Sequence, residues 1–263
     1  MADGASVTVL NRGSHPDLFK GQAQQVICDR RNAVALKAAV SEKSWDVIFD
    51  QVCFDAKEAR AACEIFRGRT PLYIPTSTIS VYSEGANMDE RAFDPRSYEL
   101  LDEVDKEKDY GEAKRQMETV FAHEASFRVI FPRFPIVCGP DDYTGRLDFH
   151  IQRIAAGEPI YFPNLDARMA FIESEEAGAC LKFLSESKAE GPINCASSDA
   201  ISMRELVGII EQTVGQKANL ADQESGDNHS PYGVSADHFP SVKRLEALGY
   251  KTRSWQEWLP AFF

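Results

Sequence analysis

Short apolar runs alternate with helical stretches along the first half of the chain, and that alternation leaves few architectures open. Ser6-Val7-Thr8-Val9-Leu10 and Gln25-Val26-Ile27-Cys28 read as strands. Asn32 to Ser41 is helical in pattern, and Trp45-Asp46-Val47-Ile48-Phe49-Asp50 is apolar enough to predict a strand buried on both faces. An alanine-rich helix from Ala56 to Phe66 and a strand from Pro71 to Ile79 follow. A helix from Tyr110 to about Ala125 and a strand from Phe127 to Phe131 continue the series. Strand followed by helix, repeated, predicts an α/β fold with a doubly wound parallel sheet.

After Pro140 the pattern loosens. Helices are expected over Leu147 to Ala156, Glu175 to Glu186, Ser202 to Val214 (with Ser202 as cap) and Ser241 to Gly249. Glu158 to Phe162 and Ala170-Phe171-Ile172 read as short strands, Pro192 to Cys195 as a last sheet strand, and Gln223 to Tyr232 as loop. The regular alternation thus covers 1–138, with a further sheet strand near 191–196, and a looser second region covers 139–263.

Tyr73 to Lys114 carries the chemistry. It opens with an apolar strand and a hydroxyl cluster, Thr76-Ser77-Thr78, and closes with Tyr110-Gly111-Glu112-Ala113-Lys114 at the head of a helix. Residues at i and i+4 share a helix face, so Tyr110 and Lys114 can point into one cleft. A free tyrosine, with a pKa near ~10, is a poor acid or base at neutral pH. A neighbouring ammonium favours the phenolate and makes the tyrosine a usable proton carrier. A strand-end hydroxyl such as Thr78 would then hydrogen-bond the substrate oxygen. Tyr-x-x-x-Lys alone is a weak motif; the Thr/Ser-rich strand end upstream strengthens it.

The net charge of −12 argues against nucleic acid or an anionic membrane as a general partner, since both need a basic surface. No segment reaches membrane-spanning length, and no signal region opens the chain. Six scattered cysteines without a C-x-x-C pair fit buried thiols in a reducing cytoplasm. The five histidines have no metal spacing, and His123-Glu124 lacks a second histidine four residues on.

With these residues in view, the chain resembles the extended short-chain dehydrogenase/reductases, the NAD-dependent epimerase/dehydratase group. The resemblance rests on Thr76-Ser77-Thr78 with Val81-Tyr82, on Tyr110-x-x-x-Lys114, on Arg133-Phe134-Pro135-Ile136-Val137-Cys138-Gly139-Pro140, on Phe171-Ile172, on Asn194 and on the closing Ser241 to Tyr250 segment. Val9-Leu10-Asn11-Arg12-Gly13 is similar to atypical members related to chloroplast stem-loop RNA-binding proteins. The resemblance implies a Rossmann-like sheet with a small C-terminal substrate lobe, which makes 1–138 a nucleotide-binding-type domain and 139–263 mainly a substrate lobe. It also implies a catalytic set of Thr78, Tyr110 and Lys114, and a nucleotide sugar or similar hydroxylated small molecule as substrate. Arg12, Asp29, Ser77, Tyr110, Lys114 and Arg133 fall at cofactor positions, and Thr78 and Arg146 at substrate positions. Arg12 stands where an NAD-preferring enzyme usually has an acid, which leans the cofactor toward NADP over NAD; as a plain residue it is a surface arginine after a strand.

One departure sets the expectation for the cofactor. The family opens with a strand and a glycine-rich turn that meets the pyrophosphate at a helix N-terminus. No such turn stands near Asn11, so the first strand here corresponds to the family's second, and about one βα unit, roughly 30 residues, is expected to be missing. Neighbouring strand edges left unpaired would invite a homodimer. The rival reading is a non-catalytic or RNA-associated binding protein on the same fold whose cofactor site is lost. Asp29 and Arg146 each have a plain surface reading, and Asp141-Asp142 fits turn chemistry better than a metal pair.

Overall fold

Asn32, Asp55, Asp109 and Ser202 each stand just before a helix and accept its early backbone N–H groups, from Ala35, Glu58, Glu112 and Glu205 respectively. Those N–H groups have no intrahelical partner, so the four side chains set where the helices begin. The computed structural model describes residues 4–14, 19–101, 104–140 and 142–263. Asp141, named from the sequence, lies outside them, as does one of the five histidines, His15.

In chain order the first elements are β1 (Thr8–Asn11), β2 (Gln24–Ile27), α1 (Ala33–Ala39), β3 (Ile48–Asp50), α2 (Ala56–Ile65) and β4 (Leu72–Pro75). Next come β5 (Ser77–Thr78), β6 (Gly85–Met88), α3 (Tyr110–Glu124), β7 (Arg128–Phe134) and β8 (Ile136–Cys138). The remainder is α4 (Arg146–Ala156), β9 (Pro159–Tyr161), β10 (Arg168–Met169), β11 (Phe171–Glu173), α5 (Ser174–Glu186), β12 (Gly191–Asn194), β13 (Ile201–Ser202), α6 (Met203–Val214), β14 (Asn219–Ala221), β15 (His238–Pro240) and α7 (Lys243–Ala247). The chain is α/β, and nearly all its strand pairs are parallel.

The chain forms two compact units, Met1–Pro75 with Tyr98–Val129, and Thr76–Ser97 with Ile130–Phe263. In the first, β1 and β2 form a parallel pair. β3 lies parallel to β4, with Ile48 opposite Tyr73 and Asp50 opposite Pro75. β4 continues the ladder to Arg128 and Val129 of β7. α2 packs against α3, and Leu36, Ala59, Ile74, Met117 and Phe121 are buried. Tyr73 lies between Phe66 and Phe121, with ring centroids 5.5 and 5.2 Å away.

Two expectations are corrected here. The strand expected over 45–50 is only Ile48–Asp50, and Phe49 is 40% exposed rather than buried on both faces. Among the described residues β3 pairs with β4 alone, so it is an edge, and one side of an edge strand meets solvent. The strand expected over 71–79 breaks at Thr76 into β4 and β5, and it ends at Thr78, whose Oγ1 caps the 3₁₀ turn Ile79–Val81.

In the second unit, Ile130 to Arg133 of β7 pair with β12, and Arg133 and Phe134 pair with β5. β8 pairs with β11 and β9 with β14, each in parallel. β13, β10, β15 and β6 make a four-stranded sheet with one antiparallel step, β10 to β13. The core gathers Ile154, Phe162, Phe171, Leu206, Tyr232 and Trp258. α4 ends at Gly157, whose φ of 69° is the left-handed conformation that lets the backbone close the helix. The six cysteines are buried free thiols, and no helix among the described residues is long and apolar enough to cross a membrane.

Candidate active site

Asp109 starts α3, so Tyr110 is its first helical residue and Lys114 lies one turn on. Tyr110 is 44% exposed, whereas Lys114 is 1% exposed. The Lys114 ammonium lies 5.8 Å from the centre of the Tyr110 ring and donates to the carbonyl of Cys53 at 2.8 Å. Burial lowers the Lys114 pKa to about 8. At neutral pH the lysine is still mostly charged, so this unit places a cation beside a solvent-accessible phenol.

Near the pair lies a polar cluster built around Asp50 at the C-terminal end of β3. Asp50 Oδ2 accepts from Arg30 Nε (2.8 Å) and Nη2 (2.5 Å) and from the Tyr73 hydroxyl (2.5 Å). Desolvation, then the charge of Asp50, pushes the Tyr73 pKa well up, so that phenol stays a neutral donor. Glu58 accepts the Phe54 N–H at 2.7 Å and the Lys106 ammonium at 3.0 Å. Arg30, Asp50, Phe54 and Glu58 were not among the expected site residues. For Asp50 the signal in the sequence is a charge closing an apolar strand, at the end where open parallel sheets collect ligands.

The first unit also holds Arg12 and Asp29, both exposed; Asp29 accepts the Arg31 N–H at 2.9 Å. The turn after β1 is a different matter from a phosphate cradle. Gly13 has a φ of 70°, and its N–H is engaged by Asn11 Oδ1 at 2.9 Å. Among the described residues, then, the first unit brings the exposed phenol of Tyr110 beside the buried ammonium of Lys114. The end of β1 offers no row of glycine N–H groups for a pyrophosphate.

Thr78, Ser77, Arg133 and Arg146 stand in the other unit. Thr78 is buried, accepts the Ser80 N–H at 3.1 Å and lies 3.2 Å from the Ser80 hydroxyl. Ser77 is 2% exposed and pairs with Arg133 across β5 and β7. Arg133 is fully buried, and its guanidinium donates to the Tyr82 hydroxyl (2.8 Å), the Glu90 carbonyl (3.2 Å) and the Phe93 carbonyl (3.0 Å). Asn194 Oδ1 accepts from the same Tyr82 hydroxyl at 2.7 Å, and its amide donates to the carbonyls of Met88 and Ser241. Asn194 and Arg133 thus tie β12, β7 and the 82–93 segment together. Arg146 is exposed at the start of α4. Asp142 accepts the N–H and hydroxyl of Thr144, the local turn expected of it.

No protein-family model matches this chain, and no curated protein matches its sequence. Solved structures do. The UDP-glucose 4-epimerase of Thermotoga maritima with UDP-glucose aligns at a TM-score of 0.70 and 17% identity, over 95% of this chain and 87% of that one. The Methanobrevibacter ruminantium UDP-N-acetylglucosamine 4-epimerase, in complex with UDP-N-acetylmuramic acid, gives 0.69 and 17% over 97% and 88%. The Thermus thermophilus UDP-glucose 4-epimerase in complex with NAD gives 0.67 and 15% over 95% and 87%. The class is therefore defined by fold: a Rossmann-like α/β architecture. The three structures aligned above are UDP-sugar 4-epimerases.

Proposed function

We propose that the chain is an NAD(P)-dependent epimerase/dehydratase or reductase acting on a nucleotide sugar or a similar hydroxylated small molecule. The observation that carries this reading is the half-exposed Tyr110 beside the buried Lys114 on one face of α3. A bound nicotinamide supplies hydride exchange. Tyr110 moves the proton of the reacting hydroxyl, and Lys114 holds positive charge beside the phenol and, by the resemblance, would hold the nicotinamide ribose. Thr78 orients the reacting oxygen, a role assigned by the resemblance. Arg12 and Asp29 take the adenosine end, Ser77 and Arg133 shape the nicotinamide end, and Arg146 meets a substrate anion. Arg12 favours NADP(H). Residues 1–138 with the 191–196 strand form the nucleotide part in this reading, and 139–263 the substrate part. The buried thiols fit a cytoplasmic setting.

The turn after β1 supports a second reading, a non-catalytic binding protein on the same fold, because Gly13 spends its N–H on Asn11. Turnover separates the two. The chain is incubated with saturating NAD(P)+ or NAD(P)H and a panel of UDP-sugars, and products are followed by chromatography. Turnover that depends on Tyr110 supports the enzyme, whereas a panel that stays unconverted retires it.

A further inference from the structure

Phe54 lies between the end of β3 and the start of α2, and its ring is only half buried. Its backbone is fixed from both sides. The Phe54 N–H donates to Glu58 Oε2, Asp55 next to it accepts the Glu58 N–H at 2.9 Å, and the Cys53 carbonyl before it receives Lys114. The ring faces three cations: Lys114 Nζ is 4.6 Å from its centre, Arg31 Cζ 5.8 Å and Lys106 Nζ 5.9 Å. Arg31 and Lys106 also meet carboxylates. Arg31 lies 3.6 Å from Glu58, and Lys106 contacts Asp55 at 2.8 Å and Glu58 at 3.0 Å. Lys114, the nearest and most buried of the three, donates to the Cys53 carbonyl and lies over the ring. The Tyr110 ring is 6.5 Å from the Phe54 ring, so all three side chains form one cluster.

We propose that Phe54 is a positioning residue of the candidate active site: its ring face holds the Lys114 ammonium at its place beside Tyr110. This rests on the reading of Tyr110 and Lys114 as a proton-handling pair. An aromatic face attracts a desolvated cation through its quadrupole, which an aliphatic side chain of similar volume does not. Burial works against the charge on Lys114, while the acidic groups facing it (Asp50 on β3, Glu58 on α2, Glu118 on its own helix and the Cys53 thiol) work for it. The ring adds to the second group, and it does so at the fixed end of a capped helix.

The test reads Lys114 itself, without cofactor or substrate. The chain is labelled with ¹³C-lysine, the Lys114 signal is assigned by its loss in Lys114→Met, and its pH midpoint is followed by NMR. In Phe54→Leu, which keeps the apolar volume and removes the ring face, the midpoint should fall by about half a unit to one and a half units. In Phe54→Tyr it should stay within a few tenths of a unit, and in Phe54→Trp it should equal or exceed the wild-type value. A folded Leu variant with an unchanged midpoint overturns the proposal. If the Leu variant does not fold, a Trp variant whose midpoint lies below wild type overturns it, and one at or above supports it. Failure of dinucleotide turnover would retire the proposed function and leave these midpoints standing. An unchanged midpoint would retire the role of Phe54 and leave the proposed function in place.

Discussion

The hydroxyl of Tyr73 donates to Asp50 Oδ2 at 2.5 Å, the oxygen that also receives the Arg30 guanidinium. All three side chains are buried, and the bond joins neighbouring strands, β4 and β3. A buried carboxylate is tolerable only when its lone pairs are met, and Tyr73 meets part of that need. Tyr73→Phe should therefore cost ~1.5–3 kcal/mol, the range for a hydrogen bond to a charged group. Urea unfolding checks it: the midpoint should fall with an unchanged slope. A loss below ~0.5 kcal/mol would mean that Arg30 alone satisfies Asp50.

That cluster shows where reading the sequence reaches its limit. Ser202 was legible as a helix start because a cap is a local hydrogen bond, satisfied within three residues. The spacing of Tyr110 and Lys114 was legible because a helix turn is a fixed length. The burial of Lys114 was not, since its partner carbonyl belongs to Cys53, 61 residues earlier. Nor was the sheet of β6, β10, β13 and β15, whose strands of two to four residues are too short to show a period and are fixed by distant pairing. The exposure of Phe49 had a similar origin. An apolar run looks the same at the centre of a sheet and at its edge, and only the presence or absence of a neighbouring strand tells them apart.

Tyr110 and Lys114 should separate in their effects. Tyr110→Phe, at a half-exposed position, should leave the unfolding midpoint nearly unchanged and lower turnover by about two to four orders of magnitude at saturating dinucleotide. Lys114→Met removes a charge whose burial is unfavourable, so stability should hold or rise while turnover falls. Because the Lys114 pKa lies near 8, its ammonium is lost above that pH, and turnover that needs it should decline as pH rises through about 8. A flat profile from pH 7 to 9 would sink the role given to Lys114.

Stability in acid should depend on His150. The ring is fully buried, stacked against Phe162 and Tyr232, with Nδ1 2.8 Å from the Arg146 carbonyl and Nε2 2.8 Å from the Ser230 hydroxyl. A carbonyl only accepts, so Nδ1 carries the proton and Nε2 accepts from Ser230. Burial lowers the pKa of His150 from 6.5 to about 4. The folded form stays neutral where the unfolded chain binds a proton, so stability is complete above pH 6.5 and drains away as pH falls toward about 4. The loss should reach ~3 kcal/mol. Urea unfolding of wild type and His150→Gln at pH 7 and pH 4.5 checks this, since the variant should lack most of that pH dependence. Parallel loss in both would assign the acid sensitivity elsewhere.

Cofactor choice should follow Arg12, which is exposed just past β1. A guanidinium there meets a 2′-phosphate with charge-assisted hydrogen bonds that a 2′-hydroxyl cannot return. NADPH should bind more tightly than NADH, and Arg12→Ala should bring the two together. Fluorescence titration with each dinucleotide decides it; equal affinities in the wild type reject the idea.

Absolute affinity is a separate matter, and it turns on the pyrophosphate. A dinucleotide's pyrophosphate is normally met by several backbone N–H groups at a helix N-terminus, where the helix dipole adds attraction. In the described residues the turn after β1 contributes one glycine, and Asn11 already occupies its N–H. The residues assigned to the cofactor, Arg12 and Asp29 at one end and Lys114 at the other, address the adenosine and the nicotinamide ribose. Losing two or three charge-assisted hydrogen bonds at ~1.5–3 kcal/mol each weakens binding by roughly two orders of magnitude or more. These 263 residues, expressed as they stand, should carry no co-purifying dinucleotide and bind NADPH weakly, with Kd above ~100 μM. β3 meets a partner strand on one side only among the described residues, so self-association through that edge is the expected accompaniment. Calorimetry and light scattering on one sample test both points. Low-micromolar binding to a monodisperse monomer would show that another segment meets the pyrophosphate, and would move the search for it to the backbone amides around Arg12 and Cys53.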